Sequence, residues 1–140
     1  MDGKDVAKRL VSQLLDLNFI VHRYNSHSTS SIYLKLDYGL SYGIRIADHQ
    51  GKRKYHYRFN VIKNYMGNKA IKNGPLISYF FDYTEIEKVI DAVKMEKQRK
   101  IDTLGIRKYK DLMYKQSKSD LYQRFKKMKG VPKKWMVLKD

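Results

Sequence analysis

The sequence predicts an α+β fold: an antiparallel three- to five-stranded sheet flanked by two helices, with a basic C-terminal helical extension. Apolar residues recur at helical spacing over 4–17 and again over 84–93. Between these segments, residues 32–37, 42–48 and 54–62 alternate apolar and polar side chains and are separated by turn residues. The basic residues then crowd toward the end of the chain.

The first helix is expected over 4–17, where Val6, Leu10, Leu14 and Leu17 form one apolar stripe. Asp2 and Asp5 lie at its start, where the helix dipole favours carboxylates, and Asn18 breaks the pattern. Residues 19–24 read as a strand, and 25–31 as a polar loop. In 32–37, Ile32, Leu34 and Leu36 point one way and Tyr33, Lys35 and Asp37 the other. Tyr38-Gly39 marks a turn. In 42–48, Ile44 and Ile46 face inward and Arg45 outward, with a second turn at 49–52. In 54–62, Tyr55, Tyr57, Phe59 and Val61 oppose His56, Arg58, Asn60 and Ile62. Three strands joined by two tight turns form an antiparallel meander. One face of such a sheet takes the helices and the other meets solvent or a partner.

Residues 63–75 hold Asn64, Gly67, Asn68, Asn73, Gly74 and Pro75, a loop of functional length, and 76–81 read as a short closing strand. Thr84-Glu85-Ile86-Glu87 has the spacing of a capping box, and Ile86, Val89, Ile90 and Val93 continue as a helical stripe. Beyond Lys94 the stripe fades into charge, so the helix is expected to leave the body of the fold. Thr103-Leu104-Gly105 reads as a hinge, followed by a short helix on Ile106, Tyr109 and Met113. Ser119 or Asp120 caps a further helix with Leu121, Phe125 and Met128, ended by Gly130 and Pro132. This divides the chain into a core at 1–100 and a basic extension at 101–140.

The 140 residues suffice for one hydrophobic core. The absence of cysteine removes disulfides, thiolate metal sites and a cysteine nucleophile. The polar, charged start Met1–Asp5 and the lack of long apolar runs predict neither a signal peptide nor a membrane span, hence a cytoplasmic protein. The net charge is +16 and unevenly placed. Residues 1–93 carry 14 basic and 9 acidic side chains, whereas 94–140 carry 16 and 5. Solubility does not require such concentration, and an anionic polymer is the natural partner.

His22, His27, His49 and His56 lack metal-ligand spacing, so no metal is expected. Asp48-His49 reads as turn chemistry rather than an acid–base pair. The carboxylates are too scattered to hold a nuclease cation, and no glycine-rich phosphate loop is present. The expectation is therefore a binding protein without cofactor and without catalysis. The candidate contacts are basic residues interleaved with aromatics. One group is Arg45, His49, Lys52, Arg53, Lys54 and Arg58. The other is C-terminal: Arg107, Lys108, Lys110, Tyr114, Tyr122, Arg124, Lys126, Lys127, Lys133, Lys134 and Trp135. Cations engage phosphates and aromatic rings stack on unpaired bases. Tyr55 and Tyr57 fit either that role or the core, whereas Tyr109 and Phe125 read as core.

The order of helix, strands, Tyr42-Gly-Ile-Arg-Ile-Ala-Asp-His49, Lys-rich turn, Lys54-Tyr55-His56 and helix 84–93 resembles small basic proteins of Gram-positive phages. Among them is a broad-spectrum anti-CRISPR family that inhibits type II-A effector nucleases. The similarity spans roughly residues 5–95. It is sharpest at Ile44-Arg45-Ile46 with Asp48-His49, where that family has a similar Ile-Arg-aliphatic-Ser-Asn-His stretch. This chain has Ala47-Asp48 in place of Ser-Asn. It lacks the family's basic N-terminal arm and carries its basic segment at the C-terminus. The resemblance implies an inhibitor of a type II RNA-guided effector nuclease that binds the guide RNA or the RNA–protein complex. Such effectors hold their nucleic acids in a positively charged channel, which repels a +16 protein posing as DNA but leaves the guide RNA as a target. The alternative is a phage or mobile-element DNA-binding protein in replication or regulation.

Overall fold

The structure is a computed structural model and describes residues 2–25, 31–49, 52–60, 76–118 and 136–137. The fold is α+β. Helix α1 (Gly3–Asp16) leads into β1 (Val21–Asn25), β2 (Ile32–Leu36), a 3-10 turn (Asp37–Gly39), β3 (Gly43–His49), β4 (Lys52–Asn60) and β5 (Leu76–Asp82). Helices α2 (Ile86–Leu104) and α3 (Ile106–Ser117) follow, and the two-residue β6 (Met136–Val137) pairs with β1. The sheet order is β5-β4-β3-β2-β1-β6, antiparallel throughout. The five longer strands form a simple meander, in which each strand pairs with its neighbour in sequence.

Helix α1 has a capping box made by Asp2 and Asp5: the Asp5 N–H donates to the Asp2 carboxylate at 2.9 Å and the Asp2 N–H to that of Asp5. Its C-terminus closes on a left-handed Asn18 (φ 65°). The Asn18 and Phe19 N–H groups return to the carbonyls of Leu15 and Leu14, as the Schellman arrangement requires. Val6, Ala7, Leu10 and Leu14 face the sheet and are buried. Ile86, Val89, Ile90 and Val93 of α2 pack into the same core, over Ile32, Leu34, Leu36, Ile44, Ile46, Tyr55, Tyr57 and Phe59. Fully burying an apolar side chain of this size stabilises by roughly 1.5–3 kcal/mol, so this single layer dominates the fold's stability.

Tyr55 and Tyr57 therefore belong to the core. Their hydroxyls donate to the Tyr83 and Ser41 carbonyls, each at 3.2 Å, which satisfies the polar end of a buried ring.

Three expectations need correction. The cap of α2 is not Thr84: the helix starts after Glu85, whose carboxylate accepts from the Asp82 N–H at 2.9 Å and pairs with Lys88. Asp37 does not point outward with Tyr33 and Lys35. It leaves the strand at φ 49° and is wholly buried. Its carboxylate accepts from the Ile20 N–H at 2.8 Å and the Tyr109 hydroxyl at 2.6 Å, and pairs with Lys97 at 2.9 Å.

The third correction concerns α2, which does not leave the body beyond Lys94. Lys97 and Lys100 continue the Val93 face at helical spacing. Lys97 Nζ lies 4.2 Å from the Phe19 ring centroid, and Lys100 is 1% exposed with Nζ donating to the Leu40 carbonyl. A lysine stem is four methylenes long and extends an apolar stripe when its head finds a carbonyl or carboxylate. Gly105 (φ 85°) then turns the chain into α3. Tyr109 and Leu112 of α3 form a second small cluster with Leu40.

A candidate nucleic-acid interface on the open sheet face

Because α1 and α2 cover one side of the sheet, the alternate residues of each strand line the other. Cross-strand register sorts them into two rows. Tyr24, Tyr33, Arg45, His56 and Phe80 lie opposite one another across β1 to β5. The adjacent row is His22, Lys35, Gly43, Arg58 and Ser78.

The first row is a run of planar groups. Tyr24 stacks on Tyr33 with centroids 4.9 Å apart and planes 11° from parallel. The Arg45 guanidinium lies 5.8 Å from the Tyr33 centroid, and its Nε donates to Ser31 Oγ at 3.2 Å. His56 stacks on Phe80 at 4.4 Å and 6°, and Phe80 is 66% exposed at the end of the row.

The second row is a gap between two cations. Neighbouring strands are about 4.8 Å apart, so the backbones of Lys35 and Arg58 stand roughly 10 Å from each other across Gly43. A Cβ on Gly43 would meet the Leu34 carbonyl oxygen at 2.8 Å, so no side chain can fill the gap. Tyr42 enters β3 in the left-handed region (φ 56°), and its side chain borders the same hollow. Lys35 Nζ and the Arg58 guanidinium sit 5.5 and 5.6 Å from its ring centroid. A left-handed non-glycine residue costs about 1–2 kcal/mol, and here it leaves the ring within reach of two positive charges.

The rows border a concave pocket of about 310 Å³ that reaches from Tyr24 and Tyr33 to His56 and Arg58. Its electrostatics are one-sided. Burial, then the nearby Arg58, holds the Lys35 ammonium below the usual lysine range. Burial, then Arg58 and Arg45, holds His56 below the usual imidazole range, so His56 is neutral near pH 7. Among the described residues, neither Lys35 nor Arg58 has a carboxylate within ion-pair distance. Among those residues Arg58 Nε and His56 Nε2 are buried without a hydrogen-bond partner.

The sequence-predicted site residues are thus divided. Arg45 and Arg58 come together on the open face, and Lys54 is exposed nearby, in register with Ala47 and Asp82. His49, Lys52 and Arg53 lie on the backbone of the β3–β4 hairpin, with their side chains outside the described residues. Arg107 and Lys110 are exposed on α3, Lys108 is half-buried, and Tyr114 is 65% exposed with Lys118 Nζ at 5.3 Å from its centroid. Tyr122, Arg124, Lys126, Lys127, Lys133, Lys134 and Trp135 fall outside the described residues, as do the loop 63–75 and the helix expected after Ser119. The cations of 94–100 are largely spent on structure: Lys97 on Asp37, Arg99 on Glu96 at 2.9 Å, and Lys100 on Leu40.

Sequence reasoning missed Tyr24, Tyr33, Lys35, Tyr42, Gly43, His56 and Phe80 as site residues. The outward set of 32–37 contained Tyr33 and Lys35, but only the register places them beside Arg45 and Arg58.

Among the described residues no group of three or more His, Asp or Glu converges to hold a metal ion, and no helix is long and apolar enough to cross a membrane. No protein-family model, curated protein or solved structure matches this chain.

Proposed function

We propose that this protein binds RNA on the open face of its sheet, and that it acts by occupancy, without catalysis. The observation that carries this reading is the pair of cross-strand rows, one of stacked planar groups and one whose cations, Lys35 and Arg58, meet no carboxylate among the described residues. Stacking surfaces hold unpaired bases with little sequence preference, while cations hold the backbone. The similarity of Ile44–His49 to the anti-CRISPR stretch supports a particular target: the guide RNA, or guide RNA–protein complex, of a type II effector nuclease in the cytoplasm of a bacterial host. Occupying the guide blocks target loading or the rearrangement that licenses cleavage.

The test is target cleavage by purified type II effectors with and without the protein, paired with mobility shifts on guide RNA, single strands and duplex DNA. Inhibited cleavage together with a guide-dependent shift is expected. Preference for free duplex DNA with cleavage unaffected would replace this reading with a DNA-binding role in replication or regulation. Divalent-ion-dependent cutting by the protein alone would make it an enzyme.

A further inference from the structure

From the open-face geometry we infer that the gap bounded by Lys35, Gly43, Arg58 and the Tyr42 ring is the seat of one backbone phosphate of an unpaired strand, with the neighbouring base against Tyr33 and Tyr24. This deepens the RNA-binding reading and rests on it for the polymer, though not for the anion.

Three features point to an anion. Two cations from different strands lie within 5.6 Å of one ring centroid, and the Arg58 charge disfavours that of Lys35. Among the described residues no carboxylate neutralises either one, although Lys88, Lys97, Arg99 and Lys115 each find one. Among the described residues the Arg58 Nε is buried without a hydrogen-bond partner, a state that calls for an explanation. An anion seated against both heads offsets the repulsion and adds charge-assisted hydrogen bonds.

Two features point to a single strand rather than a duplex. The Tyr24–Tyr33 stack and the Tyr42 ring border the same 310 Å³ hollow as the cations, so phosphate and π-face are wanted within one nucleotide of each other. A duplex presents its phosphates on a convex surface with the base faces hidden, which leaves these rings nothing to stack on. The bare Gly43 floor lets a backbone approach the sheet closely, as a glycine does where a ligand must come near.

The test follows backbone amide signals by NMR in the full chain, titrated with inorganic phosphate, a 5′-mononucleotide and the matching nucleoside. Fluorescence anisotropy with a short single-stranded RNA and its duplex runs alongside. The mononucleotide is expected to move the Tyr42 and Gly43 signals and to bind more tightly than phosphate or nucleoside. Lys35→Gln and Arg58→Gln are each expected to weaken single-strand binding at least tenfold. Lys35→Gln leaves the core untouched, so it remains informative should Arg58→Gln unfold, which a thermal melt reports. Unchanged single-strand affinity in Lys35→Gln would overturn the phosphate seat while leaving the protein an RNA binder. If no RNA binds at all, the proposed function fails; phosphate-induced shifts at Gly43 would still support the anion seat, and their absence would overturn it too.

Discussion

The Tyr109 hydroxyl donates to Asp37 Oδ2 at 2.6 Å, joining α3 to the turn after β2 across 72 positions of sequence. Ser41 Oγ, 2.8 Å from the same hydroxyl, supplies the proton that Tyr109 accepts, because the single phenolic hydrogen is already committed to the carboxylate. Lys97 completes the cluster on Asp37. A buried carboxylate is tolerated because it accepts three interactions.

Removing that hydroxyl should therefore cost more than an ordinary surface change. Tyr109→Phe is expected to destabilise by about 1.5–3 kcal/mol, the range for a hydrogen bond to a charged group. Leu112→Ala, in the same small cluster, is expected to cost about 2–5 kcal/mol through the cavity it leaves. Urea midpoints measure both. Values near zero would mean that α3 is not seated on Leu40.

Lys100 gives the stability a pH signature. Burial, then the neighbouring Arg99, pushes its pKa down from 10.5 to about 8. Between those two values the unfolded chain binds the proton that the folded chain has lost, so stability rises with pH from about 8 toward 10. Tyr57 and Tyr109 are pushed well above the usual phenol range by burial, so they ionise first in the unfolded chain. Stability consequently falls again above about pH 10. Denaturation midpoints across pH 7–11 should show a maximum near pH 9–10, and Lys100→Met should flatten its rising side.

Gly43→Ala brings a methyl to within 2.8 Å of a backbone oxygen on β2, which cannot swing away as a side chain can. A cost of about 1–3 kcal/mol is expected from the forced strand shift. A wild-type midpoint would show that the strands part freely at this point.

The aromatic and cationic rows should separate in their salt dependence. Tyr33→Ala is expected to lose about 1–3 kcal/mol of single-strand affinity with an unchanged log–log salt slope. Loss of Lys35 or Arg58 is expected to reduce the slope by about 0.7 per phosphate contact released. Affinity measured from low to moderate salt distinguishes them, and identical slopes in all variants would contradict a division of labour between the rows.

Much of the fold is legible in the sequence because most segments carry one period. Val6, Leu10 and Leu14, and the alternation of Ile32, Leu34 and Leu36, leave little freedom over which face is buried. Apart from the cap of α2, the failures share a cause: a charged residue was assigned to water by its type. Asp37 is buried because three donors from distant segments meet it, and Lys97 and Lys100 are buried because acceptors lie at the ends of their stems. The site was half legible. Arg45 and Arg58 stand out as cations in alternating strands, but Gly43 carries no chemical signal of its own. Its importance comes from lying in register between Lys35 and Arg58.

The six residues from Asp37 to Tyr42 act as a clasp with a tongue on each side of the sheet. Asp37, Leu40 and Ser41 fasten α3 behind it, while Tyr42 aims its ring into the hollow in front. Helix docking and the proposed anion seat thus share one buckle. If displacing the helix re-aims the ring, then by thermodynamic reciprocity an anion held at the ring would tighten the helix.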